Sequence, residues 1–136
     1  MFAKDVKIEK LRRVPLFSEC SKRQLAQIAA IADELDFPAE RTLIKEGEAG
    51  HECFVIVDGS IELRRRGRRI PLTGDANIFG EMALLTGAPR NATLTTLSPV
   101  RALVITDRAF NRLLNDQPGI QRKILASLAT RLAAVD

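Results

Sequence analysis

Tryptophan and tyrosine are absent from this chain of 136 residues, histidine occurs once and cysteine twice. With six phenylalanines as its only aromatics, the chain lacks the Trp and Tyr platforms on which proteins stack unpaired bases. His51 and the two cysteines, Cys20 and Cys53, are too scattered for metal-ligand spacing, and His51 in its turn reads as a surface residue rather than a general base. Cys20 follows Leu16-Phe17 and Cys53 precedes Phe54-Val55-Ile56, which suits free buried thiols better than a disulfide framework. No apolar stretch approaches the roughly 20 residues of a membrane span, and Met1-Phe2-Ala3-Lys4-Asp5 lacks the apolar core of a signal peptide. A non-enzymatic, cytoplasmic protein without metal, cofactor or membrane span is the expectation. A single domain over residues 1–136 is expected, since a chain of this size buries roughly two-thirds of the surface its unfolded form exposes.

What the chain does have is a local excess of positive charge. The net charge is +4, and much of it lies in Arg64-Arg65-Arg66-Gly67-Arg68-Arg69. Such a run could track a nucleic-acid backbone or an anionic membrane. The reading preferred here is a solvated hairpin tip: Ile61-Glu62-Leu63 alternates into it, Gly67 supplies the turn, and Ile70 resumes an apolar position. Nothing else in the sequence resembles a DNA-reading helix pair, so no specific nucleic-acid partner is expected.

The pattern divides into a helical segment over about 8–32, β-structure over about 33–106 and helices over about 107–135. Ser21-Lys22-Arg23-Gln24 has capping-box spacing, and Leu25, Ile28, Ala29 and Ala32 continue it as an amphipathic helix from Ser21 to about Ala32. Val14-Pro15-Leu16-Phe17 is a short apolar anchor before it. The strand candidates are Leu35–Phe37, Thr42–Ile44, Cys53–Val57, Ser60–Leu63, Thr93–Leu97 and Val100–Ile105, short apolar runs that argue for an antiparallel sandwich or barrel. Many brief strands suit a ligand held inside or at the mouth of the β-structure. Asp107–Asn115 opens with an N-cap candidate, Gln117-Pro118-Gly119 breaks the helix, and a last helix from about Ile120 carries Ile124, Leu125, Leu128, Leu132 and Val135 as an apolar stripe. The stripe packs on its own domain or serves as a dimer element or lid.

The segment from Phe79 to Thr93 carries the chemistry. Gly80-Glu81-Met82-Ala83-Leu84-Leu85 reads as a one-turn helix between strands, whose free N–H groups attract an anion. Arg90, beyond the Thr86-Gly87-Ala88-Pro89 turn, can fold its guanidinium over the same anion. Glu81 is a poor neighbour for a phosphate unless it accepts a sugar hydroxyl. Phosphate and hydroxyl together mean a ribose phosphate. On spacing alone an ordinary first-turn acid and a surface turn arginine explain these residues equally well.

Phe79-Gly80-Glu81-Met82-Ala83-Leu84-Leu85, followed by Pro89-Arg90-Asn91-Ala92-Thr93, resembles the phosphate-binding cassette of the cyclic nucleotide-binding domain family. Leu43–Glu48 resembles the family's early strand and glycine turn, Phe54–Glu62 its central hairpin, and Val14–Ser18 its approach to the N-terminal helix. The resemblance runs from about Leu11 to about Leu132. It implies a mainly β fold, an eight-stranded antiparallel β-roll flanked by an N-terminal helix and two C-terminal helices, binding cAMP or cGMP. Glu81 would accept the ribose 2′-hydroxyl and Arg90 would pair with an exocyclic phosphate oxygen. The cassette residues Gly80, Met82, Ala83, Leu84, Asn91 and Ala92 would surround the phosphate, and Leu63, Ile70 and Ile78 would wall the sugar and base.

Three positions depart from the family pattern. Asn91 stands where Ala, Ser or Thr is usual, a threonine there going with cGMP. Ala76-Asn77 replaces a glycine-aspartate pair, and the last helix has no aromatic to cap a base, although Arg131 falls near a base-proximal position. Family frequency favours cAMP. The resemblance thus implies a regulatory domain in signal transduction that couples cassette closure to the C-terminal helices, with an effector protein or second copy on the last helix. No helix-turn-helix, kinase, channel or acyltransferase segment is read in this sequence. The alternatives are a degenerate member acting as a protein-interaction module, and a nucleic-acid or membrane adaptor using Arg64–Arg69.

Overall fold

The computed structural model of the chain describes residues 4–72 and 78–135, the side chains at 82, 83 and 135 excepted. Two antiparallel four-stranded sheets form the centre. The first is ordered β1 (Asp33–Phe37), β8 (Val100–Thr106), β3 (Glu52–Asp58), β6 (Ile78–Phe79); the second is β2 (Thr42–Ile44), β7 (Thr93–Thr96), β4 (Ile61–Arg65), β5 (Arg68–Ile70). Helices α1 (Lys4–Arg12) and α2 (Lys22–Ala30) precede the roll, α3 (Glu81–Thr86) interrupts it, and α4 (Asp107–Asp116) and α5 (Pro118–Val135) follow.

Strands β3 and β8 are apolar almost throughout because both of their faces are covered. Successive side chains point to opposite faces. Cys53, Val55, Leu103 and Ile105 join the helices in one core with Leu11, Leu16, Phe17, Leu25, Ile28, Phe110, Ile120 and Ile124. Phe54, Ile56, Ala102 and Val104 join Ile44, Leu94 and Val100 in a second core. The register pairs Phe54 with Val104 and Val55 with Leu103, which keeps the two sets in phase.

The N-terminal region differs from expectation in its bounds. Helix α1 begins at Lys4, ahead of the expected start near residue 8, and buries Ile8 and Leu11. Ser21 is the N-cap of α2: its Oγ accepts from Gln24 N at 3.2 Å while Gln24 Oε1 accepts from Ser21 N at 2.8 Å. The helix ends at Ala30, with Ile31 as C-cap. Pro15–Phe17 forms a 3-10 turn.

At the C-terminus, Pro118 opens α5 rather than serving only to separate it from α4. A proline fits the first helical turn because its missing N–H would be unpaired there in any case. Ile120 and Ile124 of α5 are buried, and Ser127 Oγ donates to Pro15 O at 2.7 Å. Leu125 and Leu132 are exposed at 61% and 67%, so the stripe is divided between the core and the surface.

Candidate functional site

The Arg64–Arg69 run folds as the tip between β4 and β5, with Arg66 and Gly67 both at positive φ. Positive φ at both central positions is the geometry of a tight two-residue hairpin turn. Arg64 and Arg69 both pair with Glu62.

The cassette is assembled from three segments of the chain. Strand β6 ends at Phe79, Gly80 turns at φ 88°, and α3 begins at Glu81. A Cβ on Gly80 would stand 2.5 Å from Arg90 Nη1 and 3.0 Å from Glu52 O, so any side chain here is strained by the backbone φ and must displace the guanidinium. The loop bearing Arg90 is held by the glycine turn after β2: Arg90 N donates to Glu48 O and Gly47 N to Arg90 O, both at 2.8 Å. Glu46 N donates to Thr93 Oγ1 at 3.0 Å.

Arg90 is buried, at 7% exposure. Its Nη2 donates to Glu52 O at 2.7 Å and its Nη1 to Gly80 O at 3.4 Å. Burial lowers the guanidinium pKa from its ordinary value, and the charge of Glu52 opposes that. Arginine keeps its proton under such a shift, so a buried cation is stationed here on two carbonyls. The Cys53 thiol nearby is pushed up to about 12, chiefly by burial and next by the charge of Glu81. It is neutral and inert at neutral pH.

These residues border a cavity of about 390 Å³ lined by Ile44, Leu63, Arg65, Ile78, Phe79, Gly80, Glu81 and the 88–92 loop. A mostly apolar cleft of this size with a few convergent polar groups has the usual make-up of a small-molecule site. Arg90, Glu81, Asn91, Ala92, Leu63 and Ile78 are thus brought together. Leu84 lies elsewhere, buried in the core beneath the helices. Ile70 lines a neighbouring notch of about 200 Å³ with Ile61, Leu72 and Leu97. It pairs with Leu63 from the outer strand β5, one strand further from the cavity. The Met82 and Ala83 side chains and Ala76-Asn77 are outside the described residues.

Sequence reasoning did not single out Ile44, Phe79 or Arg65 as lining residues. For Arg65 a signal existed, because it lies two positions beyond Leu63 and shares its face of β4. His51 is exposed, its Nδ1 3.1 Å from Asp107 Oδ2.

A family model described as the cyclic nucleotide-binding domain matches residues 34–117. The chain belongs to this family. As a cyclic nucleotide-binding domain it is 32% identical over 129 residues to a CRP-like cAMP-activated global transcriptional regulator of Mycobacterium tuberculosis, covering 91% of this chain and 58% of that protein. It is 34% identical over 119 residues to a cAMP-dependent protein kinase regulatory subunit of Mycosarcoma maydis, covering 81% of this chain and 23% of that one. The domain therefore corresponds to only part of each of these relatives. Among solved structures, the N-terminal domain of a transcriptional regulator from Streptomyces coelicolor A3(2) superposes with a TM-score of 0.82 at 31% identity, covering 93% of this chain and 94% of that one. The sensor domain of the transcriptional regulator DNR from Pseudomonas aeruginosa shares the fold, with a TM-score of 0.72 at 24% identity, covering 95% of this chain and 90% of that one.

Proposed function

We propose that this domain is a non-enzymatic sensor that takes cAMP in preference to cGMP. The observation that carries the reading is a buried Arg90 beside a cavity that Glu81 also lines. A buried cation on neutral carbonyls is suited to a compact anion, and a carboxylate beside it to a hydroxyl on the same ligand. The names of the relatives in Mycobacterium tuberculosis and Mycosarcoma maydis, cAMP-activated and cAMP-dependent, favour the adenine ligand.

In this reading Glu81 accepts the ribose 2′-hydroxyl and Arg90 pairs with an exocyclic phosphate oxygen. Backbone amides around Gly80, Met82, Ala83 and Ala92 complete the cradle, and Asn91 donates to the phosphate or the purine edge. Leu63 and Ile78 face the sugar and base, with Ile70 backing Leu63 from the next strand.

The readout is a movement of α4 and α5. Arg90 holds Glu52 O, while the neighbouring His51 O accepts from Asp107 N at the start of α4 at 2.7 Å. Leu84 and Leu85 of α3 pack into the core that holds Phe110 of α4. An anion drawing on Arg90 therefore acts on both supports of α4, and it shifts the helices only by its preference for one arrangement. The outer face of α5, with Leu125 and Leu132, meets an effector protein or a second copy.

Calorimetric titration with cAMP and cGMP tests this. Binding of cAMP is expected to be tighter, and Arg90→Ala to weaken it about tenfold or more, the effect of losing a charge-assisted bond. No heat from either nucleotide at millimolar concentration would overturn the reading.

A further inference from the structure

The arginine run of the β4–β5 hairpin is not uniform. Arg64 and Arg69 are engaged on Glu62, one from each strand. Arg66 contributes its backbone N–H to Glu46 Oε1 at 3.0 Å. Of the five arginines, Arg65 alone lines the cavity beside Arg90, Asn91 and Glu81.

Arg65 reaches that position because β4 alternates. Leu63 and Arg65 lie on one face of the strand and both line the cavity, while Arg64, on the opposite face, bonds Glu62. The Arg65 Nε donates to Asn91 O at 2.9 Å. Among the described residues its two terminal nitrogens have no partner, and it forms no ion pair with a described carboxylate. Arg90 differs in being buried, with both terminal nitrogens engaged on backbone carbonyls. The cavity is therefore bordered by one deep, tethered guanidinium and one at its rim with donors to spare.

We propose that Arg65 is a second anion contact of this site: its Nε holds the Asn91 carbonyl while its terminal nitrogens meet the phosphate of the bound cyclic nucleotide. The inference rests on the sensor reading above. The contact lies at the exposed rim, so its strength depends on salt, whereas a buried pair at Arg90 is screened much less. Arg65 also joins the hairpin tip to the loop that carries Arg90.

The test is cAMP affinity of the whole chain at several salt concentrations for wild type, Arg65→Gln, Arg65→Lys and Arg68→Gln. Glutamine keeps a donor for the Asn91 carbonyl and loses the charge. Arg65→Gln is expected to weaken binding about three- to tenfold at low salt, an exposed charge-assisted bond, and to flatten the salt dependence. Arg65→Lys should keep the salt dependence, and Arg68→Gln should match wild type. Wild-type affinity and salt dependence in Arg65→Gln would overturn the proposal by showing that Arg65 only tethers the loop. A wild-type chain that binds no cyclic nucleotide would instead overturn the sensor reading itself.

Discussion

Gly80 and Cys53 show how much a single position is asked to satisfy near the cavity. Gly80→Ala places a methyl group 2.5 Å from Arg90 Nη1 at a backbone φ of 88°. It is expected to displace the guanidinium and reduce nucleotide affinity as far as Arg90→Ala does, which calorimetry on the two variants compares. Cys53 gives a pH signature. Its folded pKa of about 12 lies above the ordinary thiol value of 9.0, so folding favours the protonated form. The associated stability is complete below pH 9 and is lost as the pH rises from there toward 12. Urea denaturation of wild type and Cys53→Ala at pH 8 and 11 is expected to show a smaller fall in the variant. Glu81 and Arg90 were legible as a pair of unusual neighbours, but an arginine beside a Gly-Ala-Pro turn reads as surface in any sequence. Its burial depends on the carbonyls of Gly80 and Glu52, backbone atoms that carry no sequence signal.

At the scale of the element, local chemistry decides where helices begin. The capping box at Ser21 and Gln24 is present in both directions, so Ser21→Ala is expected to lower stability by about 1 kcal/mol with nucleotide affinity unchanged. Urea denaturation alongside calorimetry separates the two effects. The β4–β5 hairpin was likewise readable from Gly67 and the flanking alternation. Helix α1 was not readable from its first residue, because charged side chains dominate Lys4–Arg12 and its buried residues are only Ile8 and Leu11. Strand β6, two residues long, is too short to show a period; it exists because Phe54 and Val55 pair with Phe79 and Ile78.

For the molecule as a whole, the outcome at α5 ties the ends of the chain together. Ile124 lies in the core and Leu125 on the surface, one residue apart. Ile124→Ala is expected to cost about 2–5 kcal/mol, the usual range for emptying a core site. Leu125→Glu should leave the denaturation midpoint of the isolated chain nearly unchanged. If α5 meets a second copy, Leu125→Glu combined with Leu132→Glu lowers the molar mass measured by sedimentation; an effector protein on the same face leaves that mass unaltered. The apolar stripe announced a packed helix, but only the Ser127 bond to Pro15 and the burial of Ile120 and Ile124 choose which side packs.

The order of amino acids by itself determined the longer strands and the helices from α2 on, the capping of α2, the hairpin turn and the cassette that marks the family. These depend on neighbours within a few residues, where periodicity and turn chemistry act directly. Tertiary structure alone decided that β3 and β8 divide two cores and that Arg90 is a buried cation, and it brought the Asn91 carbonyl to Arg65, whose face of β4 the alternation already set. Those outcomes come from contacts between residues far apart in the chain, and only the closed roll brings them together.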